Sequence, residues 1–178
     1  TALLAEELGR FDEWFVRQLL GHSMTVAERA LFDKLADRLI ASALAQPRVL
    51  VHRDFHSRNF MLTHGGELAV IDFQDAVAGP VTYDLVSLLR DCYIRWPVAQ
   101  VRGWALSYRR QLCARGLLTQ VSEQEFLRWF DWMGLQRHLK VLGTFARLNL
   151  RDGKSGYLDD LPRVIDYVLE ITRQYADE

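Results

Sequence analysis

Apolar side chains recur every three or four residues over the first part of the chain and over most of its second half, which is the spacing of amphipathic helices. A first helix is predicted over residues 3–20, with its apolar face carried by Leu4, Leu8, Phe11, Phe15 and Leu19. Thr25 and Glu28 form a capping-box pattern that opens a second helix over 26–45. Further helices are predicted over 82–93, 98–115, 123–149 and from Pro162 to about Tyr175.

The pattern changes between residues 48 and 73, where short apolar runs are separated by turn residues. These runs predict strands over 48–52, 60–63 and 67–73. Gly65 and Gly66 form the turn between the last two strands, which together predict a β-hairpin. The predicted fold class is therefore α+β and mostly helical, with a small β-hairpin in the first half of the chain.

The composition is that of one globular domain. The 178 residues are 49% hydrophobic and 25% charged, with a formal net charge of -1, so the chain can bury a core and has no basic excess for a nucleic-acid partner. No apolar run reaches the roughly 18 residues of a membrane span, so no membrane partner is expected. Cys92 and Cys113 match neither a metal pair nor a secreted disulfide framework, which favours reduced thiols and a cytoplasmic location.

Three oxygen-bearing side chains are predicted to meet beside the hairpin. Asp54 and Asn59 lie on the loop between the first two strands, and Asp72 closes the last strand. Because a hairpin returns its end near its beginning, Asp72 is expected beside Asn59. Carboxylate and amide oxygens suit Mg²⁺, which binds through one or two carboxylates together with substrate phosphates. The remaining carboxylate would be free to orient a hydroxyl nucleophile.

The residues around these side chains resemble a known family. The string HRDFHSRN at 52–59 is similar to the kinase catalytic loop His-Arg-Asp-x-x-x-x-Asn, and IDF at 71–73 is similar to the metal motif that follows it, with Gln74 where protein kinases have Gly. With GPVTYDL at 79–85, these motifs resemble the aminoglycoside phosphotransferase and choline kinase family. The resemblance implies that residues 1–178 are the C-terminal, catalytic lobe of a protein-kinase-like fold, whose hairpin carries the catalytic loop.

The same resemblance implies roles for individual residues. Asp54 would orient the acceptor hydroxyl and take its proton, while Asn59 and Asp72 would hold Mg²⁺ against the phosphates of ATP. His52 and Asp84 would support the catalytic loop. A further set of polar side chains are candidate contacts to the acceptor, and solvated surface positions remain an alternative for most of them: His56, Arg58, Asp75, Arg90, Gln136, Arg137 and Lys140.

A complete kinase of this kind also needs a Gly-rich loop and a strand lysine that reach the phosphates. None of the 11 glycines forms a G-x-G-x-x-G motif, and neither Lys34, Lys140 nor Lys154 follows a predicted strand. We therefore expect the ATP-binding N-terminal lobe to be absent from this chain. That missing lobe is expected to be the partner of this chain and a part of the same polypeptide. The isolated chain is expected to be poorly active.

A closer resemblance narrows the choice of acceptor substrate. The strings HRDFHSRN, IDFQDA and YDLVSLLRD are similar to bacterial cell-wall-recycling sugar kinases, which phosphorylate the anomeric hydroxyl of N-acetylmuramate and N-acetylglucosamine. That resemblance implies a small-molecule sugar acceptor. The alternatives are an aminoglycoside or choline/amino-alcohol kinase lobe, a non-catalytic pseudokinase-like binding lobe, and a metal-dependent hydrolase that uses His52 and His56.

Overall fold

The computed structural model describes residues 2–177, which adopt the mostly helical α+β fold that the sequence predicts. The α-helices of this part of the chain are α1 (Ala2–Arg10), α2 (Val26–Leu44), α3 (Tyr83–Leu89), α4 (Val98–Ala114), α5 (Glu123–Leu150) and α6 (Leu161–Gln174). A π-helix, Phe11–Leu19, continues α1, and two short 3-10 turns cover Ser57–Asn59 and Ser155–Asp160. No helix among the described residues is both long and apolar enough to cross a bilayer.

Short antiparallel strands form two separate two-stranded sheets: β1 (Arg48–Val51), β2 (Phe60–Leu62), β3 (Leu68–Val70) and β4 (Val77–Pro80). The predicted hairpin is β2–β3, with Phe60 opposite Val70. The second sheet pairs β1 with β4. The sequence did not predict β4, because its four residues include a glycine and a proline, which are rare within strands.

The chain divides into two compact units. One comprises the residues up to Leu44 together with those from Leu135 onward, and the other comprises Ala45–Gly134. The second unit contains both sheets, α3, α4 and the first part of α5. All three residues that the sequence singles out for catalysis and metal binding therefore belong to one unit.

The core of the Ala45–Gly134 unit is apolar and positions the loop that follows β1. Val51, the last residue of that strand, is buried, as are Val86 of α3 and Phe126 and Phe130 of α5. Gln46 accepts hydrogen bonds from the backbone N–H and the hydroxyl of Thr82 at 3.3 and 2.7 Å. These bonds connect Gln46, two residues before β1, to Thr82, the residue before α3, so the starts of the two elements are held together.

The other unit contains a local departure from the predicted first helix. The chain is helical over the expected residues, but from Phe11 it widens to a π-helix, and the Leu20 N–H donates to the Phe15 carbonyl five residues back. Gly143 of α5 lies against this transition, since a Cβ at that position would come within 2.3 Å of the Arg10 carbonyl oxygen. Apolar spacing did not predict the π-helix, because residues four apart share a face in both kinds of helix.

Candidate active site

The loop from His52 to Asn59 connects β1 to the hairpin and carries Asp54 at its bend. Arg53 has a φ of 75°, in the left-handed region that non-glycine residues rarely adopt. The Asp54 carbonyl accepts the His56 N–H at 3.0 Å and the Asn59 side-chain amide at 2.8 Å. Within residues 2–177 no hydrogen bond or ion pair engages the Asp54 carboxylate, so both of its oxygens are available to a ligand.

Asn59 and Asp72 meet at the base of the hairpin. The Ile71 N–H donates to the Asn59 carbonyl at 3.0 Å, and the Asn59 amide nitrogen lies 3.5 Å from Asp72 Oδ2. Asp72 also has a positive φ, 68°, and its Oδ1 accepts a 2.7 Å hydrogen bond from Gln74. Asn59 is buried whereas Asp72 is exposed, so the pair forms a polar edge that opens outward.

This pair fits a hard divalent cation. The Asn59 amide nitrogen is used by Asp54 and Asp72, which leaves its carbonyl oxygen as the atom that could bind a cation beside the Asp72 carboxylate. One carboxylate and one amide oxygen suit Mg²⁺, which keeps its remaining positions for phosphates and water. Among the described residues no group of three or more His, Cys, Asp or Glu side chains could hold a metal ion. The two oxygens of Asn59 and Asp72 would leave the other positions of such a cation open to phosphate and water oxygens.

Asp84, near the start of α3, holds the first half of the loop. Its Oδ2 accepts the His52 N–H at 2.7 Å and its Oδ1 accepts the Arg53 N–H at 3.0 Å. The His52 ring contacts the chain at the base of the hairpin: its Nε2 lies 2.9 Å from the carbonyl oxygen of Ile71, the residue before Asp72. Both residues thus contact the backbone of the loop or of the hairpin.

The charge of Asp84 is also felt by Tyr108 of α4. Burial raises the pKa of the half-buried Tyr108 phenol, and the nearby Asp84 carboxylate raises it further. Tyr108 is therefore a neutral hydrogen-bonding group in the physiological pH range.

Asp91, which the sequence placed with Arg90 at the end of the helix begun at Thr82 and facing the acceptor cleft, holds the second half of the loop. Its Oδ2 accepts the Ser57 N–H at 2.7 Å, and its Oδ1 accepts the Tyr93 N–H at 2.8 Å. The predicted helix over 82–93 is wrong at its end: α3 stops at Leu89, and Arg90 leaves helical geometry with φ -120° and ψ 52°. The sequence carried a partial signal: Asp84 and Ser87 follow the i, i+3 spacing of one helix face, and Asp91 continues that spacing beyond the end of the helix.

Two candidate acceptor contacts, His56 and Arg58, lie beside Tyr93. The Arg58 guanidinium carbon is 3.6 Å from the centroid of the Tyr93 ring, and the His56 ring meets the same ring edge-on at 5.3 Å. Arg58 is exposed, so the cation–π contact orients its charge without burying it. The structure brings both residues onto the same loop as Asp54.

Arg90 and Asp75 have different surroundings. Arg90 is buried, forms a 2.5 Å ion pair with Asp131 and lies over the Phe130 ring at 4.7 Å. Gly134 makes room for it, because a Cβ there would lie 3.0 Å from the guanidinium. Asp75 is exposed in the turn after Asp72 and makes no hydrogen bond or ion pair within the described chain.

The three remaining candidates, Gln136, Arg137 and Lys140, belong to the other unit and are buried. Gln136 donates to the Leu4 carbonyl at 3.1 Å, and Lys140 forms a 3.1 Å ion pair with Glu7. The polar groups of Gln136 and Lys140 thus contact α1, and Lys140 is buried and not part of a solvated helix face.

The sequence of the site has known counterparts. Residues 2–148 match the phosphotransferase enzyme family. The chain belongs to this family. The match includes the complete loop from His52 to Asn59, the hairpin and Asp72, together with α3 and nearly all of α5.

Similar proteins are found in several bacteria. The chain is 48% identical to an N-acetylmuramate/N-acetylglucosamine kinase of Neisseria meningitidis, over 98% of this chain and 52% of that protein. It is 48% identical to a protein of the same name from Pseudomonas putida, over 96% of this chain and 50% of that protein, and 43% identical to one from Pseudomonas aeruginosa, over 94% and 49%. The chain thus spans about half the length of the curated relatives it matches.

Proposed function

We propose that this chain is the C-terminal, catalytic half of an ATP- and Mg²⁺-dependent kinase that phosphorylates the anomeric hydroxyl of N-acetylmuramate or N-acetylglucosamine. The observation that carries the proposal is the convergence of Asp54, Asn59 and Asp72 on one loop and hairpin, with the Asp54 carboxylate unengaged among the described residues. Relatives that carry the sugar kinase name align along nearly the whole chain, which favours this acceptor over an aminoglycoside or an amino alcohol.

In the proposed reaction the acceptor hydroxyl attacks the γ-phosphorus of ATP, the bond from that phosphorus to the bridging oxygen breaks, and ADP leaves. Asp54 accepts a hydrogen bond from the hydroxyl and takes its proton as the new P–O bond forms. The products are the sugar 1-phosphate and ADP. Phosphoryl transfer depends on positioning and charge neutralisation. The main contribution of this half of the enzyme to the rate is therefore to hold the loop that carries Asp54 in place.

Asn59 and Asp72 are proposed to hold Mg²⁺ through the amide oxygen and the carboxylate. When bound, the ion would neutralise charge on the phosphate oxygens. The Gln74 hydrogen bond to Asp72 Oδ1 and the Asn59 contact to Oδ2 fix the plane of this carboxylate, so its orientation is set by the protein alone.

The main nucleotide-binding part of the enzyme is proposed to lie in an N-terminal lobe of the same polypeptide. Neither a Gly-rich phosphate loop nor a strand lysine occurs in this sequence, and the relatives are about twice as long. The hairpin and β1 also expose several large apolar side chains, Leu50, Met61, Leu62, Leu68 and Phe73. Leu62 and Leu68 pair across the hairpin, and adjoining exposed apolar side chains are typical of a surface that another domain or a ligand covers.

The acceptor side of the loop is proposed to include His56 and Arg58. An exposed guanidinium on the loop that carries Asp54 would pair with an anionic substituent of the acceptor, and N-acetylmuramate carries a carboxylate whereas N-acetylglucosamine does not. Arg58→Gln should therefore raise the KM for N-acetylmuramate more than the KM for N-acetylglucosamine.

The test is a transfer assay with the full-length protein, ATP and Mg²⁺. The acceptors are N-acetylmuramate, N-acetylglucosamine, choline, homoserine and kanamycin, and the product is identified by ³¹P NMR as a phosphate on the anomeric oxygen. Asp54→Asn should lower kcat by about 10²- to 10⁴-fold, because it keeps the shape of the side chain and removes the base. Asp37→Asn is the control, an exposed carboxylate of α2 that should leave kcat unchanged.

Each outcome of this assay has a definite meaning. Transfer to the two N-acetyl sugars that Asp54→Asn abolishes would support the proposal in full. Transfer only to choline, homoserine or kanamycin would contradict the sugar acceptor and keep the kinase. Binding of Mg²⁺-ATP without transfer to any acceptor would favour a non-catalytic binding role.

A further inference from the structure

We propose that Asp91 is a positioning residue of this active site, which couples the loop that carries Asp54 to the ring that orients Arg58. The inference rests on the proposed kinase function and adds a residue to which neither the family motifs nor the expected ligand set assigns a role. It is carried by hydrogen-bond geometry, burial and the placement of Asp91 relative to α3.

The face of α3 that meets the catalytic loop is polar. Asp84 accepts the N–H groups of His52 and Arg53, and the Ser87 hydroxyl lies 3.5 Å from the Arg53 carbonyl oxygen. Asp91 accepts the Ser57 N–H at 2.7 Å. The backbone contacts of α3 and of the residue two positions beyond its end therefore lie on both sides of Asp54, at residues 52–53 before it and at residue 57 after it.

Asp91 occupies an electrostatically unfavourable place for a carboxylate. It is only 1% exposed, and it lies two residues after the end of α3, where the helix dipole favours a cation. A buried carboxylate in such a place needs hydrogen bonds to its charged form. Asp91 obtains two, from the N–H groups of Ser57 and Tyr93, and each oxygen receives one of them.

The two hydrogen bonds lead to different parts of the site. The bond to Ser57 holds the 3-10 turn that ends at Asn59, and therefore the position of the Asn59 amide relative to Asp54 and Asp72. The bond to Tyr93 holds the segment whose ring contacts Arg58 at 3.6 Å and His56 at 5.3 Å. One carboxylate thus joins the loop that carries Asp54 to the Tyr93 segment, whose ring contacts the proposed acceptor residues Arg58 and His56.

The decisive variant is Asp91→Asn in the full-length protein. The asparagine keeps the size of the side chain but offers only one oxygen, so one of the two N–H groups loses its acceptor. We expect kcat for sugar phosphorylation to fall by about 10- to 100-fold, because a loop displaced by a fraction of an ångström misaligns the base. The KM for ATP should change by less than about twofold, since no atom of Asp91 is proposed to meet the nucleotide.

Asp12→Asn is the matched control. Asp12 is also a buried carboxylate that takes part in charged contacts, at 2.9 Å to Arg17 and 2.5 Å to Arg29, but it lies in the π-helix of the other unit. Its substitution should lower the melting temperature and leave kcat unchanged well below that temperature. A lower kcat in Asp91→Asn, beside a lower melting temperature with unchanged kcat in Asp12→Asn, would distinguish a positioning role from general destabilisation.

Backbone hydrogen exchange gives a second readout that needs no activity. Asp91→Asn should increase exchange at the Ser57 and Tyr93 amides while leaving the β2–β3 hairpin amides unchanged. Should Asp91→Asn be insoluble, Asp91→Glu keeps the charge, moves both oxygens and should lower kcat in the same way.

The outcomes distinguish this inference from the proposed function. Wild-type kcat in a folded Asp91→Asn or Asp91→Glu protein would overturn the positioning role while the kinase activity stands. If the wild-type protein transfers phosphate to no acceptor, the kinase proposal fails, and the exchange experiment still decides whether Asp91 clamps the loop. Unchanged exchange at both amides in that case would overturn the clamp as well.

Discussion

The Arg53 N–H donates to Asp84 Oδ1 at 3.0 Å, and this bond fixes Arg53 in the left-handed conformation that turns the chain toward Asp54. A non-glycine residue at positive φ costs about 1–3 kcal/mol and persists only where its surroundings determine it. The same carboxylate accepts the His52 N–H at 2.7 Å, so one side chain stabilises both residues before the proposed base.

Asp84→Ala should lower both stability and activity. The substitution leaves two partly buried N–H groups without their charged acceptor, which should cost about 2–3 kcal/mol in the free energy of unfolding. Urea denaturation of the full-length protein measures this loss, and steady-state kinetics should show a lower kcat. Asp75→Ala, at an exposed position without a contact, should stay within about 0.5 kcal/mol of the wild type. Equal stability of the two variants would contradict the structural role of Asp84.

Asp72→Asn should change the dependence of the reaction on Mg²⁺. The variant removes the negative charge of the proposed ligand but keeps its size, so half-maximal activity should require a Mg²⁺ concentration higher by about tenfold or more. Titration of Mg²⁺ at saturating ATP and sugar measures the shift, and excess EDTA should abolish wild-type activity. Gln74→Ala is the informative companion, since it removes only the 2.7 Å bond to Asp72 and should shift the titration less. An unchanged titration for Asp72→Asn would argue against metal binding there.

Gly143→Ala should destabilise the unit that contains the π-helix. The added Cβ would lie 2.3 Å from the Arg10 carbonyl oxygen and 2.7 Å from the Phe11 nitrogen, which are backbone atoms that cannot turn away. Overpacking of this kind should cost about 1–3 kcal/mol in thermal or urea unfolding. Gly103→Ala in α4 is the control, because no atom lies within 4 Å of its Cβ, and it should be neutral or up to about 1 kcal/mol more stable.

The capping box at the start of α2 should make stability depend on acid pH. Hydrogen bonds from the Thr25 backbone and hydroxyl lower the pKa of the exposed Glu28 carboxyl below its usual 4.5. The folded state therefore favours the ionised form, and this contribution is complete above the unfolded pKa and is lost as the pH falls through the folded one. The melting-temperature difference between wild type and Glu28→Gln should be largest near pH 6 and vanish toward pH 3. In a Thr25→Ala background, where the hydroxyl no longer donates to Glu28, the same comparison should show a smaller trend.

The sequence by itself determined the elements whose signals are local. The helices α2, α4 and α5 begin and end within one residue of their predicted bounds, because apolar spacing and the capping residues at Thr25 and Ser122 act over a few positions. The hairpin followed from two short apolar runs and a glycine turn, and its geometry brings Asp72 to Asn59. The sequence alone also suggested the residues proposed for catalysis and metal binding, because their chemistry requires particular residue types at particular intervals.

Tertiary structure decided the features that depend on contacts between distant residues. No local pattern predicts the β1–β4 pairing or the π-helix that packs against Gly143, because each depends on residues far apart in the sequence. The early end of α3 was likewise not visible in the local pattern. The environment of the late helix was decided in the same way: Lys140 meets Glu7, and Arg90 meets Asp131, so these cations form buried ion pairs. Spacing along a helix states which residues share a face, but only packing states what that face meets, and for Asp84 of α3 that is the backbone of the loop that carries Asp54.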